Sequence, residues 1–159
     1  MMDMIRTFDK HTLVREKKII RFIADHLSEQ NKNEARLLYG DVSFFNVLMD
    51  EAEATETGFV LFSDTGEPRG VGGICENKTS WFVLTEHTTT ELHVAWLKHG
   101  RRWFAEQLAK YGRVYGYCCV DNTLSMKWMK WLGFDFAAPD SEATATINGK
   151  KFLYFQKNY

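Results

Sequence analysis

The sequence predicts an α+β fold of layered α/β/α type, a mixed, mostly antiparallel sheet with helices on both faces. Three observations lead there. Strand-type runs and helical periods follow the order βαα, three strands, α, β, α, β, β. Turn chemistry at Asp64-Thr-Gly-Glu-Pro68 and at Asn148-Gly149 closes antiparallel hairpins. One long helical stretch separates the runs Trp81 to Thr85 and Val114 to Val120, the pattern of a crossover joining two parallel neighbours. A chain of 159 residues matches one domain at about 150 residues each, spanning 1–159.

Each element has its own signal. Met4 to Phe8 reads as a first strand, and Asp9 to Thr12 as turn and cap. From Leu13 to Leu27 apolar residues recur at helical spacing, with Arg15 to Lys18 on the wet side. Ser28 to Asn33 breaks that period, and two short helical pieces follow, Glu34 to Tyr39 and Phe44 to Glu53. Gly58 to Phe62 and Gly70 to Cys75 form a hairpin. Trp81 to Thr85 lacks polar alternation and is expected to be a central strand. Thr88 and Glu91 have capping-box spacing at the start of the long helix, and Gly112 ends it. After the strand Val114 to Val120, Asn122 or Thr123 caps a short helix that Gly133 stops, and Phe134 to Ala137 with Lys151 to Gln156 complete the sheet.

Composition excludes several classes. Apolar residues at 45% and charged residues at 26% disfavour disorder and coiled coil. A net charge of −1 gives no global attraction to nucleic acid or to an anionic membrane. No apolar run approaches the roughly 20 residues of a membrane span, and the N-terminus lacks a signal-peptide pattern, so a cytoplasmic location is expected. Cys75, Cys118 and Cys119 are read as reduced, packed thiols. His93 and His99, six apart on one helix, lack metal-ligand spacing, and no metal site is expected. Lys98, Arg101 and Arg102 suit a solvated helix face better than a phosphate site, and Trp128 and Trp131 suit one core and one core-edge position of an amphipathic helix better than a nucleic-acid surface.

The element order, together with Asn122-Thr-Leu-Ser-Met-Lys-Trp-Met-Lys-Trp-Leu-Gly-Phe134, resembles the GNAT superfamily of CoA-dependent N-acetyltransferases. The order covers nearly the whole chain, and the residue-level likeness is confined to the last third. Trp81-Phe-Val, Val120-Asp-Asn-Thr-Leu-Ser and Trp-Leu-Gly-Phe are similar to the small GNAT-like proteins of short-tailed phages, including an internal virion protein family. The resemblance implies acetyl-CoA as cofactor and an amine as acceptor, in a host cytoplasm or a virion. It implies that the main chain of Phe82, Val83 and Leu84 holds the pantetheine arm like an added strand. Thr88, Thr89, Thr90 and Asn122 are the further cofactor contacts it implies.

The sequence departs from that family in two places. Glu86-His-Thr-Thr-Thr-Glu-Leu92 contains no glycine where bare backbone amides usually approach the CoA pyrophosphate, and Glu86 and Glu91 oppose an anion. The three threonines serve equally as helix caps. Counting back from Gly133-Phe134 puts Met129 where many members carry the tyrosine that protonates the departing thiolate. Tyr117, Tyr115 or a cysteine of the fifth strand is the substitute, or else the strand tyrosines are half-buried packing. Glu86 and His87 are the candidates for general base, or else a solvated loop. Two functions follow: an N-acetyltransferase, or a catalytically silent scaffold that binds a viral or host protein.

Overall fold

The computed structural model describes residues 4–86 and 88–159. Strand β1 (Ile5–Phe8) leads through a 3-10 turn at Leu13–Arg15 to helices α1 (Lys17–Asp25), α2 (Glu29–Tyr39) and α3 (Phe44–Ala54). Strands β2 (Thr55–Phe62), β3 (Pro68–Cys75) and β4 (Ser80–Leu84) follow, then helix α4 (Thr90–Tyr111) and strand β5 (Arg113–Cys119). Helix α5 (Thr123–Trp131) and strands β6 (Asp135–Phe136), β7 (Ala145–Ile147) and β8 (Lys150–Asn158) end the described chain. The fold is the expected α+β arrangement and the β2–β3 hairpin forms; Asn148 and Gly149, both at positive φ, join β8 to β7, a strand not expected, rather than to Phe134 to Ala137, which pairs with β8 as β6.

The strands make two antiparallel sheets rather than one continuous mixed sheet. One runs β1-β2-β3-β4, and the other runs β5-β8-β6 with β7 also on β8. The two adjoin through a single parallel bridge, Thr79 to Tyr115, where the Tyr115 N–H donates to the Lys78 carbonyl at 3.1 Å. Strands β4 and β5 are therefore parallel neighbours at one end only. The expectation of a central strand at Trp81 to Thr85 is corrected accordingly: β4 is the edge of its sheet, and its residues Ser80 to Val83 are only half-buried. Its unbroken apolar run arises because both of its faces are covered, by different helices.

Period-two alternation splits the packing between those faces. Phe59 and Leu61 point into a cluster with Leu92, Trp96, Trp103 and Phe104 of α4 and Trp128 of α5. Val60 and Val71 point the other way, into a cluster with Ile20, Ile23 and Leu48 of α1 and α3. Gly72 makes room for the first cluster, since a Cβ there would lie 2.8 Å from the end of the Phe59 ring. That ring stacks on Trp96 at 4.5 Å between centroids.

Helix boundaries differ from the sequence pattern at two places that matter for the site. Helix α2 starts at Glu29, capped by the Ser28 hydroxyl accepting from the Asn31 N–H, where the apolar period gave no helix before Glu34. Helix α4 takes Thr89 as its N-cap, its hydroxyl accepting from the Leu92 N–H at 3.2 Å, while the Thr88 hydroxyl meets His93 Nε2 at 2.9 Å. Three consecutive threonines offer almost the same cap, and the His93 ring decides between Thr88 and Thr89. Gly112, left-handed, ends α4 as expected.

Gly133 has φ +93°, immediately after the α5 cap residue Leu132. An added Cβ would lie 2.7 Å from Lys157 Nζ, which donates to the Leu132 carbonyl at 2.8 Å. Replacing Gly133 with valine is expected to cost about 1 kcal/mol or more, from the strained φ and the displaced lysine. A fall in the urea midpoint at unchanged slope would show it; an unchanged midpoint would mean that the helix end carries no such strain.

Candidate functional site

Beyond the bridge at Thr79, β4 and β5 diverge, and the Phe82 ring fills the angle between them. It lies 5.5 Å from Phe59, 5.2 Å from Trp96 and 5.6 Å from Trp128, centroid to centroid. Above this aromatic floor is an inner cavity of about 70 Å³, lined among others by Glu34, Ser80, Tyr117, Asn122 and Met129. At roughly 30 Å³ per water it holds a group the size of two waters. Two buried donors on its lining residues, the Ser80 hydroxyl and the Trp96 indole N–H, have no hydrogen-bond partner among the described residues. Unsatisfied buried donors are uncommon in folded proteins.

Helix α2 lies across the opening and is tied to both of its sides. At its start the Ser28 N–H donates to the Leu84 carbonyl at 2.9 Å, and Asn31 Oδ1 accepts from the Leu84 N–H at 3.0 Å. One turn on, the Glu34 carboxylate accepts from Gln30 at 3.2 Å, and the Asn122 amide lies near enough to favour its charged form. Asn122 caps α5 with its other end, accepting from the Ser125 N–H at 3.2 Å. Farther along, Asn148 Nδ2 of the β7–β8 turn donates to the Leu37 carbonyl at 2.7 Å.

Glu34 therefore stands over the gap between the sheets. Burial pushes its carboxyl above the ordinary carboxylate range, partly offset by the amides of Asn122 and Gln30. It lines the inner cavity and also a larger one of about 210 Å³ on the other side of β4, walled by Tyr39, Phe44, Glu51, Trp81 and Tyr117. Burial raises the Glu51 carboxyl in the same way, with Asp50 adding to it. The sequence reading missed both carboxylates. Only the Ser28 cap, three residues before Asn31 and six before Glu34, hinted that this polar stretch was helical.

The expected residues fall at several places. Tyr117 lines both cavities and is half exposed, its ring 5.6 Å from Tyr154. Phe82 and Asn122 line the inner cavity, as does Met129 in the counted position. Strand pairing corrects the main-chain expectation. Val83 pairs with Val71 in the ladder, and both Leu84 groups are taken by Ser28 and Asn31, which leaves Phe82 as the residue facing the opening. Glu86 and Thr88 lie apart from Tyr117, on an outer cavity that also receives Asp121, Asn122 and Ser125. The Glu86 N–H donates to the His26 carbonyl at 3.0 Å. Thr89 is engaged as N-cap and Thr90 opens α4 on the exposed side. His87 lies outside the described residues. Cys118, buried beneath the inner cavity, has its thiol pushed up to about 12 by burial.

No protein-family model and no curated protein matches this sequence. Solved structures do match in fold. A spermidine N-acetyltransferase of Vibrio cholerae, solved with CoA and spermine, is 14% identical, with a TM-score of 0.59 over 98% of this chain and 95% of that one. A GNAT superfamily phosphinothricin acetyltransferase of Sinorhizobium meliloti, solved with acetyl-CoA, is 12% identical, with a TM-score of 0.59 over 98% and 89%. A Bordetella pertussis protein assigned to the GnaT acetyltransferase family is 13% identical, with a TM-score of 0.60 over 99% and 97%. The chain has the GNAT fold. Among the described residues no helix is long and apolar enough to cross a membrane.

The raised carboxyl of Glu34 gives a signed expectation. Unfolded, the group loses its proton near 4.5; folded, it does so at higher pH. Its favourable share of stability is thus complete below about 4.5 and is lost as pH rises through the folded value. Glu34→Gln, which keeps the shape and removes the charge while exchanging one acceptor oxygen for an NH2 donor, is expected to raise the melting temperature at pH 7 and to lose that advantage at pH 4. Melting curves across this range test it, and a variant less stable than the parent at pH 7 would contradict it.

Proposed function

We propose that the chain is an N-acyltransferase that moves an acetyl group to an amine, with Glu34 as the general base. The observation that carries this reading is the half-buried, raised carboxyl between the two cavities, one sized for an acetyl group and the other open to an acceptor. The acyl end of acetyl-CoA suits the first cavity chemically. The outward main chain of Phe82 matches its amide groups. Asn122 and Ser125 line the way in. The nucleotide end has less to hold it. The outer cavity is lined by Glu86 and Asp121 and by no Lys or Arg among the described residues, which leaves the Thr88 hydroxyl and the first amides of α4 at Thr90 and Glu91.

When bound, acetyl-CoA supplies an activated acetyl thioester. The residues of the chain do the rest. Glu34 accepts the proton of an incoming ammonium and frees its lone pair; a carboxyl raised towards neutral pH is a stronger base than an exposed one. Gln30 holds its orientation. The thioether of Met129 has no proton to give, and Cys118 near 12 is a weaker acid than an ordinary thiol near 8.5, so neither protonates a departing thiolate. Tyr117 is the hydroxyl at the inner cavity that can. Glu86 and His87 take no part in this reading.

Mass-spectrometric assay with acetyl-CoA and a primary amine is expected to show transfer. Glu34→Gln should lower kcat/KM at neutral pH by roughly a hundredfold or more, and Met129→Tyr should leave it within about tenfold. Because so little grips the nucleotide, acetyl-pantetheine should replace acetyl-CoA within about tenfold in kcat/KM. No acetyl-CoA binding at millimolar concentration would sink the enzyme. The acidic lining at Glu86 and Asp121, and the likeness to phage proteins, would then favour the second reading, a non-catalytic scaffold for a virion or host protein.

A further inference from the structure

Among the described residues, the large apolar side chains left exposed fall mostly into two groups, one set among cations and the other among carboxylates. Val94, Leu124 and Trp131 lie on α4 and α5, while Leu38, Tyr39 and Val42 lie where α2 ends and α3 begins. Scattered singly, exposed apolar residues need no explanation; grouped in a patch, they mark a contact. Residues 92–105 of α4 and 123–134 in and after α5 hold Lys98, Arg101, Arg102, Lys127 and Lys130 and no carboxylate, in a chain of net charge −1. None of the five forms an ion pair with a described residue. Val94, Lys98 and Arg101 share one exposed face of α4, and Leu124, Lys127 and Trp131 share one exposed face of α5. The two helices run side by side: the His93 ring meets Trp128 at 4.9 Å, and farther along the Arg101 guanidinium lies over the Trp131 ring at 5.5 Å. Trp131 remains 56% exposed even so.

The second group borders a surface groove lined among others by Tyr39, Val42, Asn46, Asp50 and Glu51, and by no Lys or Arg. Glu53 continues the row of Asn46 and Asp50 along the exposed side of α3. Neither Asp50 nor Glu53 forms an ion pair with a described residue. One surface is thus apolar and cationic, the other apolar and anionic, and like charge keeps either from docking on itself. A nucleic acid on the first surface would neutralise its cations but leave Val94 and Leu124 without apolar partners, and Arg101 already occupies the Trp131 ring. The groove at Tyr39 and Val42 offers carboxylates and apolar contact together.

We infer that the face shared by α4 and α5 docks on the groove at Tyr39 and α3 of a second copy of this chain, with apolar side chains against apolar ones and cations against carboxylates. Because the two surfaces differ, each such contact leaves a free face on one copy and a free groove on the other, and association continues until a ring closes or a filament grows. Val42, Asn46 and Asp50 line the groove and not the larger cavity, so the contact stands whether or not the chain transfers an acetyl group.

Sedimentation velocity of the full chain at low ionic strength tests it. The average mass is expected to rise above that of the monomer between micromolar and millimolar concentration, and to fall back in molar salt, which screens the charges. Lys98→Glu with Lys127→Glu in one chain, and Asp50→Lys with Glu53→Lys in another, should each weaken association by about a hundredfold or more. All four side chains are exposed, and circular dichroism checks that both variants fold. Mixed in equal amounts, the two variants should associate again, because the intact groove of the first receives the intact face of the second. A parent chain that stays monomeric at millimolar concentration overturns the inference. Undiminished association of either folded variant does so too, as does a mixture of the two that stays monomeric. Binding of a single-stranded oligonucleotide or of anionic vesicles by a monomeric parent, lost in the lysine variant, would assign the face to that polyanion instead of a second copy.

Discussion

The divergence of β4 from β5 is the constraint on which the rest of the site depends. Two parallel strands that meet at Thr79 and Tyr115 would ordinarily continue their ladder, and each further residue pair would satisfy main-chain groups. Here the ladder stops, and something else must satisfy the exposed edge. The Phe82 ring, set among Phe59, Trp96 and Trp128, keeps the strands apart from one side. Helix α2 closes the other side and takes both main-chain groups of Leu84. The opening that remains lies between two sheets that are otherwise separately packed.

Electrostatics follow from that geometry. A carboxylate placed over a gap between sheets loses water from several directions at once, and Glu34 is compensated by two neutral amides rather than by a cation. Such an arrangement lowers stability at neutral pH, and a chain selected for folding alone has little reason to keep it. Glu51 repeats the pattern with a tyrosine hydroxyl as its partner. In both, burial disfavours the charge and a neutral group is the partner.

What the sequence disclosed and what it hid divide along physical lines. Elements held by apolar burial were legible, because Leu92, Trp96, Phe104 and Leu108 on α4 recur at the helical period and β2 and β3 are joined by a recognisable turn. Elements held by polar contacts were not. Helix α2 buries a single residue, Asn31, so its first turn carries no apolar signal. The edge position of β4 was hidden for a related reason: an apolar run reports that both faces are covered and says nothing of the strand's sides. Phe82, Tyr117, Asn122 and Met129 were found because strand position and the count from Gly133 located them along the cleft. Glu34 was missed because nothing within Asn31 to Glu34 distinguishes a carboxylate over a cavity from one in water. That distinction is made by Asn122, 88 residues later in the chain.

The composition of α2 has a thermodynamic consequence of its own. A helix held over a cleft by side-chain amides and backbone groups, with one fully buried residue, uncovers less apolar surface when it lifts than a core helix would. Its detachment would therefore shift the heat capacity and the denaturant slope less than that of a core helix, since both scale with newly exposed area. Global unfolding experiments are poorly suited to such a motion. Amide hydrogen exchange along residues 29–39 is not, because it reads the opening of each hydrogen bond singly, whatever area goes with it.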